Sequence, residues 1–317
     1  MRLRLALRAP KGRHRISPAA TSASRGAGVG LPRARFVPAL LVIACCTSPD
    51  RADEGLGGPE TIVVVDAAGS RVALQEPVRR IVSLVPSATQ TLRAIGAAGA
   101  LVGRTDFDVD AWTASLPSVG GGIGPNLEAI VELRPDLVIR FAGEQDPRTP
   151  ARLDDLGIRH LAVRPDRVED ILAAATMLGR VTGHEAEAEA LRTSIREGLR
   201  TIAESAASQP TRRFAYVLGG SPPWVAGPGT YIDEVVSLTG GANVFQDLGA
   251  LYAAVSPEAL RTRDIDVVLV GSEGGFDASL VPGARIELVG DVLEIPGPDV
   301  VEAAIRVAAA LHGTPRP

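Results

Sequence analysis

A fourteen-residue stretch written twice constrains the fold of this 317-residue chain more than any other feature. Asn126-Leu-Glu-Ala-Ile-Val-Glu-Leu-Arg-Pro-Asp-Leu-Val-Ile139 shares its plan with Ser256-Pro-Glu-Ala-Leu-Arg-Thr-Arg-Asp-Ile-Asp-Val-Val-Leu269. Each copy opens on a good helix-capping residue. A glutamate follows two places on (Glu128, Glu258), then a short amphipathic run, an aspartate (Asp136, Asp266) and three apolar residues. Both acidic pairs stand 130 residues apart. A capping side chain takes an unpaired N–H at a helix start, and a carboxylate in the first turn is favoured by the helix dipole. Each copy therefore reads as loop, cap, short helix and buried strand. A helix feeding a wholly apolar strand belongs to a parallel sheet covered on both faces. Two copies at this spacing imply two similar lobes.

The length agrees, since 317 residues suggest about two domains. Charge is unevenly spread. Residues 1–44 hold nine basic and no acidic residues, which leaves 24 basic against 37 acidic in the remainder, a net charge of −13. Such a surface repels phosphates, so no nucleic-acid partner is expected. The only cysteines, Cys45 and Cys46, are adjacent and have no distant partner for a stapling disulfide.

Phe36–Ala44 is an apolar run of nine, too short to span a bilayer but suited to the core of a secretory signal. Val42-Ile-Ala-Cys45 then resembles a bacterial lipobox, in which the cysteine is lipidated; an ordinary cleavage site nearby, with the cysteines incidental, is the competing reading. Residues 1–44 are thus expected to be a signal peptide and 45–60, made of Gly, Pro, Asp and Ser, a flexible tether. Beyond it, Thr61–Asp66 and Arg71–Leu74 flank a glycine-bearing turn and predict a β-hairpin. Arg79–Val85 predicts a buried strand, with Ser87 capping a helix over 88–95. The run Gly120-Gly-Gly-Ile-Gly124 matches neither a Walker loop nor G-x-G-x-x-G, and reads as a flexible bend before a helix. Residues 185–207 form a proline-free helical pattern about 35 Å long, enough to join two lobes. The expected divisions are an N-terminal lobe at 61–165, linking helices at 166–209 and a C-terminal lobe at 210–313.

No G-x-S-x-G, H-E-x-x-H or C-x-x-C pattern occurs, and His160, His184 and His312 lie far apart in the chain. No nucleophile and base assemble, and neither a catalytic residue nor a metal site is expected. Two lobes, a long connecting helix and an export signal point instead to a binding protein that closes a cleft.

The chain resembles the substrate-binding proteins of bacterial ABC importers whose lobes are joined by one rigid helix, most of all the cobalamin (vitamin B12) binders. Arg80-Ile-Val-Ser-Leu-Val-Pro-Ser-Ala-Thr89, Leu116-Pro-Ser-Val-Gly120, the first repeat copy and Gly240-Gly-Ala-Asn-Val-Phe245 carry the resemblance, over about residues 61–312. It implies an α/β fold of two Rossmann-like lobes with mainly parallel central sheets and a ligand cleft between them. It implies permease and ATPase subunits as partners, Glu128 and Glu258 as the carboxylates that dock on permease arginines, and a transported ligand rather than a cofactor. Phe107, Phe141, Trp224 and Tyr252 fall where cobalamin binders place cleft aromatics, and Asp291 where they have a cleft aspartate; only 3% of residues are aromatic. Where those binders carry a tryptophan ahead of the docking helix, this chain has the Gly120–Gly124 run. Arg104 and Arg140 are also expected near the cleft, where siderophore or anion binders use arginine. The implied protein is a monomer outside the cytoplasm, held to the membrane by lipid on Cys45. A ferric siderophore or haem binder is the alternative; a signalling or adhesion lipoprotein that has lost transport is a further one.

Overall fold

Both copies of the repeat fold alike in the computed structural model, which describes residues 61–143, 145–271 and 276–313. A hairpin, β1 (Ile62–Val65) and β2 (Arg71–Leu74), opens the N-terminal lobe. Its turn is tied by Asp66, whose Oδ1 accepts from the N–H groups of Ala68 and Ser70 while Oδ2 accepts from Ala162 at 2.9 Å. Behind the hairpin lies a sheet of β3 (Ile81–Ser83), β4 (Leu101–Gly103), β5 (Leu137–Phe141) and β6 (His160–Val163), all parallel, in the order β4-β3-β5-β6.

Helices α1 (Pro86–Ala94), α2 (Leu127–Leu133) and α3 (Arg148–Asp155) alternate with these strands. Leu137, Val138 and Ile139 are wholly buried because helices cover both faces of β5. Ser87 does not cap α1: Pro86 already occupies the first turn, Val85 is the cap residue, and no side chain accepts there. The cap place is taken by Val85, whose side chain has no oxygen to accept a bond, while Pro86 at the first helical position has no N–H to satisfy and a φ already set for the helix.

Helix α4 (Val168–Thr182) and helix α5 (Glu185–Ala206) connect the lobes as an antiparallel pair turning at Gly183. Val168, Ile171 and Leu172 of α4 belong to the core of the C-terminal lobe, whereas Ala174, Leu178 and Val181 belong to that of the N-terminal lobe. Helix α5, with 22 residues, is about 33 Å long and carries the chain back, from Ala188 in the first core to Ile195 and Leu199 in the second. The lobes are therefore joined through interleaved cores.

The second lobe holds β7 (Arg212–Gly219), β8 (Trp224–Ala226), α6 (Tyr231–Leu238), β9 (Gly241–Asn243), β10 (Tyr252–Ala254), α7 (Pro257–Arg261), β11 (Val267–Val270), β12 (Arg285–Leu288) and α8 (Val300–His312). Strands β9-β7-β11-β12 are parallel and repeat the order of the first lobe. The antiparallel pair β8 and β10 is added beyond the second half of β7.

The shared plan is visible at the repeat itself. Asn126 Oδ1 accepts from the Ala129 N–H at 3.1 Å, and Ser256 Oγ from that of Ala259 at 3.2 Å. Asp136 Oδ2 accepts from the N–H groups of Arg79 and Arg80, and Asp266 Oδ2 from that of Arg213 at 2.8 Å. Each aspartate thus fastens the entry of the neighbouring strand, β3 or β7.

Candidate functional site

The loop after β4 builds one wall of the cleft. Asp108 Oδ2 accepts from both the N–H (2.8 Å) and the hydroxyl (2.7 Å) of Thr105, all buried. This tight turn turns Phe107 outward, 66% exposed, with Val109 beyond it. Opposite stands the turn Asp291–Leu293 of the other lobe. Between them lies a cavity of about 240 Å³, with Pro86, Gln90 and Phe107 on one side and Asp291 and Ile295 on the other. The lobes approach closely here, since a Cβ on Gly297 would stand 3.2 Å from Gln90 Oε1. Pockets that hold a whole ligand span about 300–1,000 Å³, so this corner between the lobes is by itself smaller than that.

Trp224 and Tyr252 stand on the antiparallel strands β8 and β10 of the C-terminal lobe. Ala254 pairs with Trp224 and Tyr252 with Ala226, which makes the two aromatic residues diagonal neighbours on one sheet face. They are 49% and 40% exposed. Partial burial, aided by the Asp166 carboxylate, pushes the Tyr252 hydroxyl up to about 12, so the ring stays neutral at physiological pH. Phe141 is half-buried against the core of the first lobe, and a Cβ on Gly143 would meet its ring at 2.7 Å.

The two arginines expected near the cleft are held inside the first lobe. Arg104 donates through Nε to the Thr113 carbonyl (3.0 Å) and through Nη1 to that of Thr105 (2.7 Å), and so pins the loop that presents Phe107. Arg140 donates through Nε to His160 Nδ1 (3.1 Å) and through Nη1 to the Phe141 carbonyl (3.2 Å). His160 Nε2 faces Asp154 at 3.2 Å, so this histidine is a structural link. The Gly120–Gly124 run is more tightly fitted than a flexible bend: a Cβ on Gly122 would lie 2.5 Å from the Leu84 carbonyl oxygen.

Carboxylates dominate the corner cavity. Asp110, Asp291, Asp299 and Glu302 line it, and its one cation among the described residues, Arg306, donates to Glu302 at 2.9 Å. Burial, then the charge of Asp291, raises the Glu294 carboxyl above its ordinary range. Val109, Gln90 and Ile295, which also line this cavity, were not singled out from sequence. The signals available were Val109 two residues beyond Phe107 and Ile295 four beyond Asp291.

Glu128 and Glu258 are exposed in the first turns of α2 and α7. Cys45 lies outside the described residues. Among the described residues no helix is long and apolar enough to cross a membrane, and no group of three or more His, Cys, Asp or Glu is placed to hold a metal ion.

A two-lobed α/β protein with a cleft between parallel sheets and a helical connection is the architecture of a transport binding protein, and the chain belongs to the periplasmic binding protein family, whose pattern matches residues 81–282. Its members are the substrate-binding subunits of ABC importers of the vitamin B12, haem and siderophore type; they work outside the cytoplasm with a permease and an ATPase, carry a transported ligand rather than a cofactor, and are not enzymes. A cobalamin-binding protein of Halobacterium salinarum is 31% identical over 274 residues, covering 78% of this chain and 73% of the relative. The crystal structure of the periplasmic vitamin B12-binding protein of Vibrio cholerae superposes with a TM-score of 0.66 at 25% identity, over 74% of this chain and 97% of that one. A periplasmic haem-binding protein from Pseudomonas aeruginosa shares the fold with a TM-score of 0.67 at 24% identity, over 76% and 95% of the two chains.

Proposed function

We propose that the protein captures cobalamin or a related corrinoid in the inter-lobe cleft and delivers it to its permease. The observation that carries this choice is the charge of the cleft corner. Haem brings carboxylates, and catecholate siderophores bring anionic oxygens, so both need cations facing the ligand. Here Arg104 and Arg140 are engaged by carbonyls and His160, Arg306 is paired with Glu302, and Asp291, Asp299 and Asp110 remain. A corrin rim carries neutral amides, whose N–H groups donate well to carboxylates. Phe107, Trp224 and Tyr252 supply exposed aromatic surface for a large flat ligand, and the Halobacterium and Vibrio relatives support the same choice.

In this reading Glu128 and Glu258 dock the two lobes on permease arginines, the protein acts as a monomer, and lipid on Cys45 holds it at the membrane. Calorimetric titration with cyanocobalamin, haem and ferric siderophores tests the ligand. Saturable heat with cyanocobalamin is the expected result; saturation with haem and none with cyanocobalamin at tens of micromolar overturns it. Cys45→Ser is expected to release the protein from membranes, measured by fractionation after a salt wash.

A further inference from the structure

We infer that the groove between α2 and α3 receives an apolar side chain of the permease flanked by a basic one, so that the two lobes dock unequally; this rests on the reading of Glu128 and Glu258 as docking residues. Helix α2 shows more than its glutamate to solvent. Leu127, Val131 and Leu156 line a groove of about 600 Å³ whose rim carries Glu128, Glu132 and Asp155 and one cation, Arg152, which stands 3.8 Å from Asp155 and leaves the rim acidic on balance. Val131 is 43% exposed and Leu156 49%. Single exposed apolar residues are ordinary, but two large ones sharing a concavity with a third mark a contact surface.

The second lobe provides the comparison inside the same molecule. At the repeat distance of 130 residues, Leu127 becomes Pro257, Val131 becomes Arg261 and Glu132 becomes Thr262. The Arg261 guanidinium stands 3.8 Å from Glu258, so that glutamate is partly neutralised by its own helix. Helix α7 therefore offers one screened carboxylate, whereas α2 offers two carboxylates and an apolar floor.

Charge selects the occupant. Glu128 and Glu132 have no ion-pair partner among the described residues, and like charges four apart on a helix repel. A cation arriving between them relieves that repulsion. A second copy of this chain fits poorly, because a two-fold contact would set one acidic rim against the same rim of its neighbour. A permease loop with an arginine or lysine beside a leucine, methionine or phenylalanine fits both features.

The test is the affinity of the full-length protein for its permease–ATPase complex in nanodiscs, by surface plasmon resonance, with melting temperatures recorded for each variant. Leu156→Asp and Val131→Asp are expected to weaken binding about tenfold or more, although each adds a negative charge opposite a basic partner. Val131→Met, which keeps the surface apolar, is expected to bind like the wild type. Unchanged or tighter binding by both aspartate variants would mean a contact made by charge alone and would overturn the inference. The double variant Glu128→Ala/Glu258→Ala separates the two readings. If it loses binding while the groove variants do not, the groove is wrong and the glutamates stand; if it binds normally, the docking assignment fails first. Sedimentation that shows a wild-type dimer dissolved by Leu156→Asp, with permease binding intact, would seat a second copy in the groove and equally overturn the proposal.

Discussion

Asp136 and Asp266 occupy corresponding places in the two lobes, and among the described residues only the second carboxylate also meets a guanidinium, that of Arg213. The Arg213 side chain and N–H hold the Asp266 carboxyl down at about 2, below the usual value of about 3.9 for aspartate. A carboxyl depressed in the folded state stabilises the fold fully above its unfolded value, and that contribution fades as pH falls through about 2. Asp266→Asn is therefore expected to lower the urea midpoint at pH 7 and to show a shallower loss of stability than wild type between about pH 4 and 2. Trp224 and Tyr252 behave in the opposite manner. Half-exposed rings on the short strands β8 and β10 contribute little to the core, so Trp224→Ala and Tyr252→Ala are expected to leave the melting temperature nearly unchanged. Aromatic contacts bury about 150–250 Å² each, and their loss is expected to weaken cyanocobalamin binding about tenfold or more by calorimetry.

Elements meet closely where glycine leaves room. On α4, a Cβ at Gly179 would stand 2.5 Å from the Ala188 Cβ and 2.9 Å from the His184 carbonyl oxygen, so this position sets how α4 and α5 turn against each other. Helix propensity alone favours Gly179→Ala by about 1 kcal/mol. Overlap with a carbonyl that cannot swing away costs about 1–3 kcal/mol and outweighs it. Gly179→Ala is thus expected to lower the melting temperature, and a rise would mean the helix pair can separate freely. Gly122 obeys the same rule beside the Leu84 carbonyl. From sequence the glycine run had only composition to speak for it; the approach of the Leu84 carbonyl, just past the end of β3, comes from a residue some forty positions away.

Across the whole molecule, motion is limited by which core each buried residue belongs to. Helices α4 and α5 each place side chains in both lobes, and the Val168 N–H also donates to Glu234 of α6 at 2.9 Å. A wide hinge rotation would draw Val168, Ile171 and Leu172 out of the second core, at about 1.5–3 kcal/mol for each side chain exposed. Ligand-free and ligand-bound protein are expected to give nearly superimposable X-ray scattering profiles. A marked compaction on adding cyanocobalamin would show that the helix pair yields.

Local sequence was enough for most of what depends on a residue and its near neighbours, the start of α1 at Pro86 rather than after Ser87 being the exception. The capping side chains of Asn126 and Ser256, the hairpin at 62–74, the buried strands β5 and β11 and the length of α5 all follow from periodicity and backbone chemistry, which act within about one helical turn or one strand. The two-lobed plan was legible too, because it is written twice. Side-chain direction near the cleft was not. Phe107 and Asp291, 184 positions apart, share a cavity because the lobes close on each other, and Arg104 and Arg140 turn inward because unpaired carbonyls and His160 were there to accept from them. The linking helices at 166–209 were legible as elements, but the way α4 is shared was not: its apolar face reads the same in sequence whichever core it enters, and only the packing of Val168 against one lobe and Val181 against the other divides it between both.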